Sequence, residues 1–233
     1  MDIKNHKAYV STGHLPPQQE IEELVEEAYA RFKSNNDGKN SQVYPALAKV
    51  PSELFGICIV ETSGNVYAIG DSDYEFTIMS VSKPFIFALV CEQIGVEEAR
   101  QKLGVNATGM AFNSLAGIER SPDGRSNPMV NSGAIATTSL VPGGNLDARW
   151  KFIHDGLSRF AGRKLPLNDE VYASASATNF RNQAIARMLQ SYGRIYIDPA
   201  DAVDLYTKQC ALNVSAKDLA VMGATLANLG VNP

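Results

Sequence analysis

Cysteine and histidine are scarce in this 233-residue chain, with three of each. Cys58, Cys91 and Cys210 are odd in number and far apart, which excludes a disulfide-stapled miniprotein. Cys58 and Cys91 sit in apolar stretches, so buried, reduced thiols are the expectation, and with them a cytoplasmic protein. The histidines have no metal-ligand spacing among themselves or with cysteine, so no metal site is expected. No run of Lys or Arg forms a stripe. With 21 basic against 25 acidic residues, neither nucleic acid nor an anionic membrane is a natural partner. The longest apolar run, Phe85 to Cys91, is too short to span a bilayer. The polar start from Met1 to Asn5 is not a secretory signal. Also missing are the phosphate-binding GxxxxGK[ST], the dinucleotide GxGxxG, the GxSxG elbow and HExxH.

What is present is an ordinary globular composition, 45% hydrophobic and 20% charged. Pro17 and the acidic Glu20, Glu22 and Glu23 open a first helix, whose apolar stripe is Ile21, Leu24, Val25, Ala28 and Phe32. Ser34 to Asn40 reads as a loop. Phe55–Val60 and Asn65–Ile69 read as strands of a hairpin about Ser63-Gly64. Helical spacing then recurs near 80–94, 96–103, 146–161, 174–191, 200–210 and 216–229. Gly95, Gly104, Gly162, Gly193 and Gly230 stand where C-caps belong. Ser215 and Asp218 make a capping box for the last helix. No repeat or low-complexity linker divides the chain, so one domain with a helical lobe is expected. A hairpin alone is marginal and needs more strands or helices to cover it.

Ser80-Val81-Ser82-Lys83 is an S-x-x-K. On a helix, Lys83 lies one turn from Ser80, close enough to take a proton from its hydroxyl. Pro84 is tolerated only near a helix start, which puts Ser80 at the positive end. The apolar turns that follow bury the helix and lower the pKa of its lysine. With 18 Ser and 11 Lys, about one S-x-x-K is expected by chance, so the placement carries the argument rather than the motif. In Asn127 to Ala134, Asn131 is either a ligand-facing amide or a cap or turn residue. Thr178, Asn182, Ile185 and Leu189 share one face of the predicted 174–191 helix, with position 175, an Ala, on the same face. Asn182 is then either a buried hydrogen-bond hub or a ligand contact. Tyr206 lies on a stripe with Ala202, Val203 and Cys210, as a tied-down core ring or a hydroxyl reaching a site. His154 reads as a helix-packing residue beside Trp150.

Taken together these pieces resemble the serine-dependent glutaminases, relatives of the β-lactamases and penicillin-binding transpeptidases. The matching signatures are Ser80 to Phe85, Phe112-Asn113-Ser114, Asn127 to Ala134, Arg181 to Ala186, Tyr206 with Cys210, and Ala224 to Asn228. They occur in the family's order and cover roughly Tyr44 to Gly230. The resemblance implies an α+β fold of the serine β-lactamase type, an antiparallel sheet packed against helices with a predominantly helical lobe. It implies a nucleophile at Ser80 activated by Lys83, with Tyr206 taking part in catalysis. Asn131, Asn182 and Tyr206 would contact the substrate, L-glutamine. The reaction would give L-glutamate and ammonia through a γ-glutamyl ester on Ser80, without metal or organic cofactor, in a homo-oligomer.

Three departures accompany the resemblance. The family's Glu seven residues before the Asn of the Arg-Asn pair is here Ala175, so the substrate's ammonium lacks its carboxylate. The family's Tyr near the first Pro-x-Leu-Ala segment is offset, with Tyr44 directly before Pro45. The later strands, another site Tyr and a Lys-Ser-Gly strand have no counterpart, so residues 1–233 are expected to form one glutaminase-like domain shortened at its C-terminus. Ala175 and that shortening favour, as an alternative, a catalytically silent binding or assembly protein on the same scaffold. A penicillin-interacting serine enzyme is a further alternative, though S-D-N and K-T-G are absent.

Overall fold

The computed structural model describes residues 16–233; the polar N-terminal stretch that carries no signal pattern lies outside the described residues. Helix α1 (Gln18–Phe32) opens the described chain and is followed by the expected hairpin. Strands β1 (Gly56–Val60) and β2 (Val66–Gly70) pair antiparallel, Gly56 opposite Gly70 and Val60 opposite Val66. Alternation decides which face is buried: Ile57, Tyr67 and Ile69 receive Ile21 and Val25 of α1. Helix α10 (Ala216–Ala227) packs along β1. The hairpin is thus covered by helices, as its marginal stability alone requires.

A second, two-residue ladder escapes sequence reading because it is too short to show a period. Strand β3 (Phe76–Thr77) pairs with β4 (Asn213–Val214), Phe76 opposite Val214. The Ile78 N–H continues it, donating to the Leu212 carbonyl at 2.8 Å. This short staple holds the chain entering α2 (Lys83–Ile94) against the chain leaving α9 (Pro199–Cys210).

Helix α2 is apolar all round and is therefore buried, as its sequence predicts. Phe85, Ile86, Leu89 and Val90 meet Ile153 and Leu157 of α6 (Leu146–Ala161), Leu205 of α9 and Met222 of α10. A second core joins α5 (Asn131–Ser139), α8 (Phe180–Ser191) and α9 through Ile135, Ile185, Leu189, Val203 and Tyr206. Helices α3 (Val96–Lys102), α4 (Ala116–Glu119) and α7 (Asp169–Thr178) complete the described residues. The Ser215–Asp218 capping box is formed at the start of α10. His154 packs on Trp150 and hydrogen-bonds the Leu165 carbonyl, a helix-packing residue as read.

Four expectations are corrected. The predicted 174–191 helix is two helices, α7 and α8, broken at Asn179. The Asn179 side chain donates to Thr207 Oγ1 at 2.9 Å and accepts from Gln183 Nε2 at 3.1 Å, so its amide competes with helix continuation. Thr178 is consequently exposed rather than inward. Asn131, read as a ligand-facing amide or a cap or turn residue, is the first residue of an unexpected helix, Asn131–Ser139, whose residues are all buried. The small residues of this helix leave no polar face and hence no amphipathic stripe. Gly104 does not adopt the left-handed conformation of Gly95, Gly162, Gly193 and Gly230; the chain there needs close approach, its N–H donating to the Ser126 carbonyl. Finally, Cys58 and Cys91 are only half-buried, and Cys210 alone is buried; all three are free thiols.

Helix α5 lies against its own approach loop so closely that a Cβ at Gly133 would stand 1.9 Å from the Asn127 carbonyl oxygen. Gly144 has nothing within 4 Å of the same position. Gly133→Ala is expected to destabilise by about 1–3 kcal/mol or more through overpacking, a drop of roughly 2–12 °C for a chain of this size. Gly144→Ala should stay within about 1 kcal/mol of the parent. Thermal melting of both variants checks the pair; equal midpoints would show that the approach loop yields freely.

Candidate active site

Ser80 lies in a 3-10 turn, Met79–Ser82, that feeds directly into α2, with Pro84 at the helix start. The hydroxyl is therefore placed where amide N–H groups lack helical partners and the dipole is positive. Met79 has φ +49°, in the left-handed region that a branched or bulky residue enters at a cost of about 1–2 kcal/mol. The two serines of the turn have opposite environments. Ser80 is exposed, whereas Ser82 is fully buried and donates to the Met79 carbonyl at 2.9 Å. Only Ser80 is available to a ligand.

Lys83 is the first residue of α2 and only 4% exposed. Its Nζ donates to Asn131 Oδ1 at 2.9 Å and to the Met129 carbonyl at 3.3 Å. Sequence reading has Lys83 close enough to take a proton from Ser80; the structure adds two bonds that tie its amino group to α5 and its approach loop. Burial lowers the Lys83 pKa, and the neighbouring thiol of Cys210 does little to restore it. Burial pushes Cys210 itself up to about 11, so it stays a neutral thiol near pH 7. Both Lys83 acceptors are uncharged oxygens. A neutral amine has two N–H groups and one lone pair. Loss of the third proton therefore leaves both bonds intact and frees a lone pair.

Asn131 Oδ1 is shared. The Tyr206 hydroxyl also donates to it, at 3.3 Å, with Ser80 as a polar neighbour. Burial keeps the Tyr206 phenol well above its ordinary pKa, so it remains a hydroxyl able to accept from one neighbour and donate to another. Asn131 Nδ2 in turn donates to Asn182 Oδ1 at 3.0 Å. That bond fixes both amides: Asn182 has its NH2 left to offer a ligand. Asn131, Asn182 and Tyr206 are thus joined as structural partners, and Asn182 and Tyr206 also line a crevice.

The remaining signatures hold this group in place. The Asn131 N–H donates to the Phe112 carbonyl at 2.7 Å, and Arg181 Nε to the Asn113 carbonyl at 2.6 Å. The Phe112 ring lies 5.8 Å from Lys83 Nζ. This narrow crevice of about 10 Å³ is lined by Tyr44, Met79, Ala175, Asn182, Tyr206 and Cys210 among others. Tyr44 therefore does face the site despite its offset. Ala175 shares the cleft with Asn182, although across a helix break rather than along one face. The residues that sequence reading missed are Met129, through its carbonyl, and the buried Ser82, Thr138 and Gln209 behind the turn. A main-chain acceptor has no side-chain signal, and lone buried polar residues have no spacing. Among the described residues no three His, Cys, Asp or Glu side chains gather as a metal site, and no single helix is long and apolar enough to cross a membrane.

A profile of the glutaminase family matches residues 38–233. The chain belongs to the glutaminase family. It is 67% identical over 97% of its length to Glutaminase 2 of Yersinia pestis, and 48% identical over 91% to Glutaminase of Mycobacterium ulcerans. It spans about two thirds of the length of these curated relatives, 66% and 67%. Among solved structures it resembles the probable glutaminase ybaS, with TM-score 0.91 and 42% identity over 94% of this chain and 71% of that one. It also resembles a probable glutaminase from Bacillus subtilis complexed with 6-diazo-5-oxo-L-norleucine, with TM-score 0.78 and 27% identity over 98% of this chain and 69% of that one. The fold is thus the serine β-lactamase-like α+β type of the glutaminases, and the penicillin-interacting alternative gives way to membership of this family.

The lysine's environment makes a pH prediction. Unfolded, Lys83 titrates near the ordinary 10.5; folded, it releases its proton at lower pH. Between those values the unfolded chain binds more protons, so this residue's contribution to stability rises with pH. Denaturant unfolding of the wild type and of Lys83→Met from pH 7 to 10 should show the difference moving in favour of the wild type as pH increases. A difference independent of pH would mean that Lys83 is not desolvated in the fold.

Proposed function

We propose that this chain hydrolyses the side-chain amide of L-glutamine, giving L-glutamate and ammonia through a γ-glutamyl ester on Ser80. The observation that carries the reading is the convergence of Lys83 and Tyr206 on Asn131 Oδ1 beside an exposed serine at a helix start. In this reading Ser80 passes its proton to the lone pair of neutral Lys83, with the Tyr206 hydroxyl, which shares Asn131 Oδ1 with that lysine, beside the path. The Ser80 oxygen bonds the amide carbon. Lys83, now an ammonium, returns the proton by the same route to the leaving nitrogen; the carbon–nitrogen bond breaks and ammonia departs. Water then attacks the ester, giving its proton to Lys83, and the proton returns to Ser80 as glutamate leaves. The positive helix end stabilises the developing oxyanion. Asn182 offers its NH2 to a substrate carboxylate or carbonyl. No metal or organic cofactor enters the scheme.

The buried Ala175 favours a second reading, a catalytically silent binding or assembly protein on the same scaffold, because a buried substrate ammonium gains most from a formal charge that is lacking here. Its absence removes on the order of 2–5 kcal/mol, or roughly 30- to 3000-fold in affinity.

One experiment addresses both readings. Ammonia release from L-glutamine, with L-asparagine as control, is measured for the wild type, Ser80→Ala, Ala175→Glu and Ala175→Gln, alongside calorimetric titration of L-glutamine. Release that requires Ser80, with affinity in the order Glu above Gln and Gln near Ala, is the expected result. Binding without release in the wild type and Ala175→Glu alike would favour the silent scaffold. Equal affinity of the Glu and Gln variants would remove glutamine recognition from this cleft.

A further inference from the structure

We propose that Gln209 is a positioning residue that holds the nucleophile's turn through a directed hydrogen-bond chain. Its catalytic consequence rests on Ser80 being the nucleophile. Thr138 of α5 donates to Gln209 Oε1 at 3.1 Å, Gln209 Nε2 donates to Ser82 Oγ at 3.2 Å, and Ser82 Oγ donates to the Met79 carbonyl at 2.9 Å. All three side chains are at most 1% exposed, so water does not substitute for any link. The polarity of the chain is forced by proton counting. Ser82 has one hydrogen, and the Met79 carbonyl takes it; the serine oxygen must then accept, which only the NH2 end of Gln209 can satisfy. That leaves Oε1 to accept from the one hydrogen of Thr138. The Cys210 thiol, 4.0 Å from Ser82 Oγ, adds only a long contact.

The end of this chain is the carbonyl of the one residue in the turn with positive φ, immediately before Ser80. A left-handed residue without glycine persists where its surroundings over-determine it. Here the surroundings are the β3–β4 staple on one side and this relay on the other. The relay runs through Gln209 of α9, which also carries Tyr206, and the staple is made by the strand that follows α9. The Ser80 hydroxyl and the Tyr206 hydroxyl are thereby referenced to the same helix: Tyr206 through its own backbone, Ser80 through Gln209, Ser82 and Met79. Loss of the relay should leave the cleft able to bind and misplace the nucleophile.

The sequence supplies a direct probe. Of the six methionines, only Met79 precedes a serine, so labelling with carbonyl-13C methionine and 15N serine yields one correlated pair, Met79–Ser80. We would record that resonance, the melting midpoint, and the inactivation kinetics with a chloromethyl ketone analogue of L-glutamine. The comparison set is the full-length wild type, Ser82→Ala, Gln209→Glu, Thr138→Val and Thr138→Ser. Gln209→Glu keeps shape but only accepts when ionised, so it draws the Ser82 hydrogen away from Met79. Ser82→Ala and Gln209→Glu should move the Met79–Ser80 resonance and lower the maximal inactivation rate per folded molecule about tenfold, the size of one buried hydrogen bond. The half-saturating inhibitor concentration should change less than twofold. Thr138→Val should act in the same direction, and Thr138→Ser should restore wild-type behaviour. A resonance that stays in place while the melting midpoint falls would overturn the proposal, leaving the relay a packing feature. So would a moved resonance with unchanged inactivation. A wild type that is not labelled at Ser80 counts against the nucleophile reading instead, and the resonance still decides whether Gln209 holds the turn.

Discussion

A lysine buried without a formal counter-charge is the constraint on which the rest of the site depends. Lys83 sits at the first turn of a strongly apolar helix and is only 4% exposed, so its amino group is desolvated. Its bonds to Asn131 and Met129 satisfy a neutral amine as well as an ammonium. Had either acceptor been a carboxylate, the charged form would dominate and the lone pair would be lost. The uncharged surroundings of Cys210 and Tyr206 follow the same logic, since both are held in their protonated forms by burial.

Bringing an asparagine to that lysine needs a helix that can be wholly internal. The Asn131–Ser139 segment manages this with Ser, Gly, Ala and Thr, which leave little to desolvate once their hydroxyls bond inward. Thr137 and Ser139 return hydrogen bonds to the carbonyls of Gly133 and Ala136. Gly133 lets the helix press against its approach loop, which is what carries the Met129 carbonyl to Lys83. Stability and site geometry are therefore set by the same small residues.

Much of this was legible in the sequence, for identifiable reasons. The first helix, the hairpin, the buried α2 and the capped α10 carry strong periodic or capping signals, and each is present. The placement of Ser80 ahead of a helix start and of Lys83 in its buried first turn was readable because spacing, Pro84 and apolar continuation agree. The break at Asn179 was not readable, because the interaction that makes it, with Thr207, comes from 28 residues away. The convergence of Ala175 and Asn182 on one cleft was anticipated, although the geometry offered for it, a single continuous face, was wrong. The internal helix, the two-residue ladder and the relay through Gln209 leave no local pattern. Identity of the lysine's acceptors was equally hidden, since one of them is a main-chain carbonyl.

The central claim is that a neutral Lys83 activates Ser80. It is tested most directly by mapping, by mass spectrometry, the adduct of a chloromethyl ketone analogue of L-glutamine across pH, in the wild type and in Lys83→Arg. The account predicts a single adduct on Ser80 in the wild type. Its rate of formation should climb with pH and level off below the ordinary lysine value of 10.5, whereas Lys83→Arg, which cannot lose its proton, should form the adduct slowly and without that inflection. An adduct on Ser82 or on any cysteine with Ser80 unmodified, or the same inflection in Lys83→Arg, would contradict it.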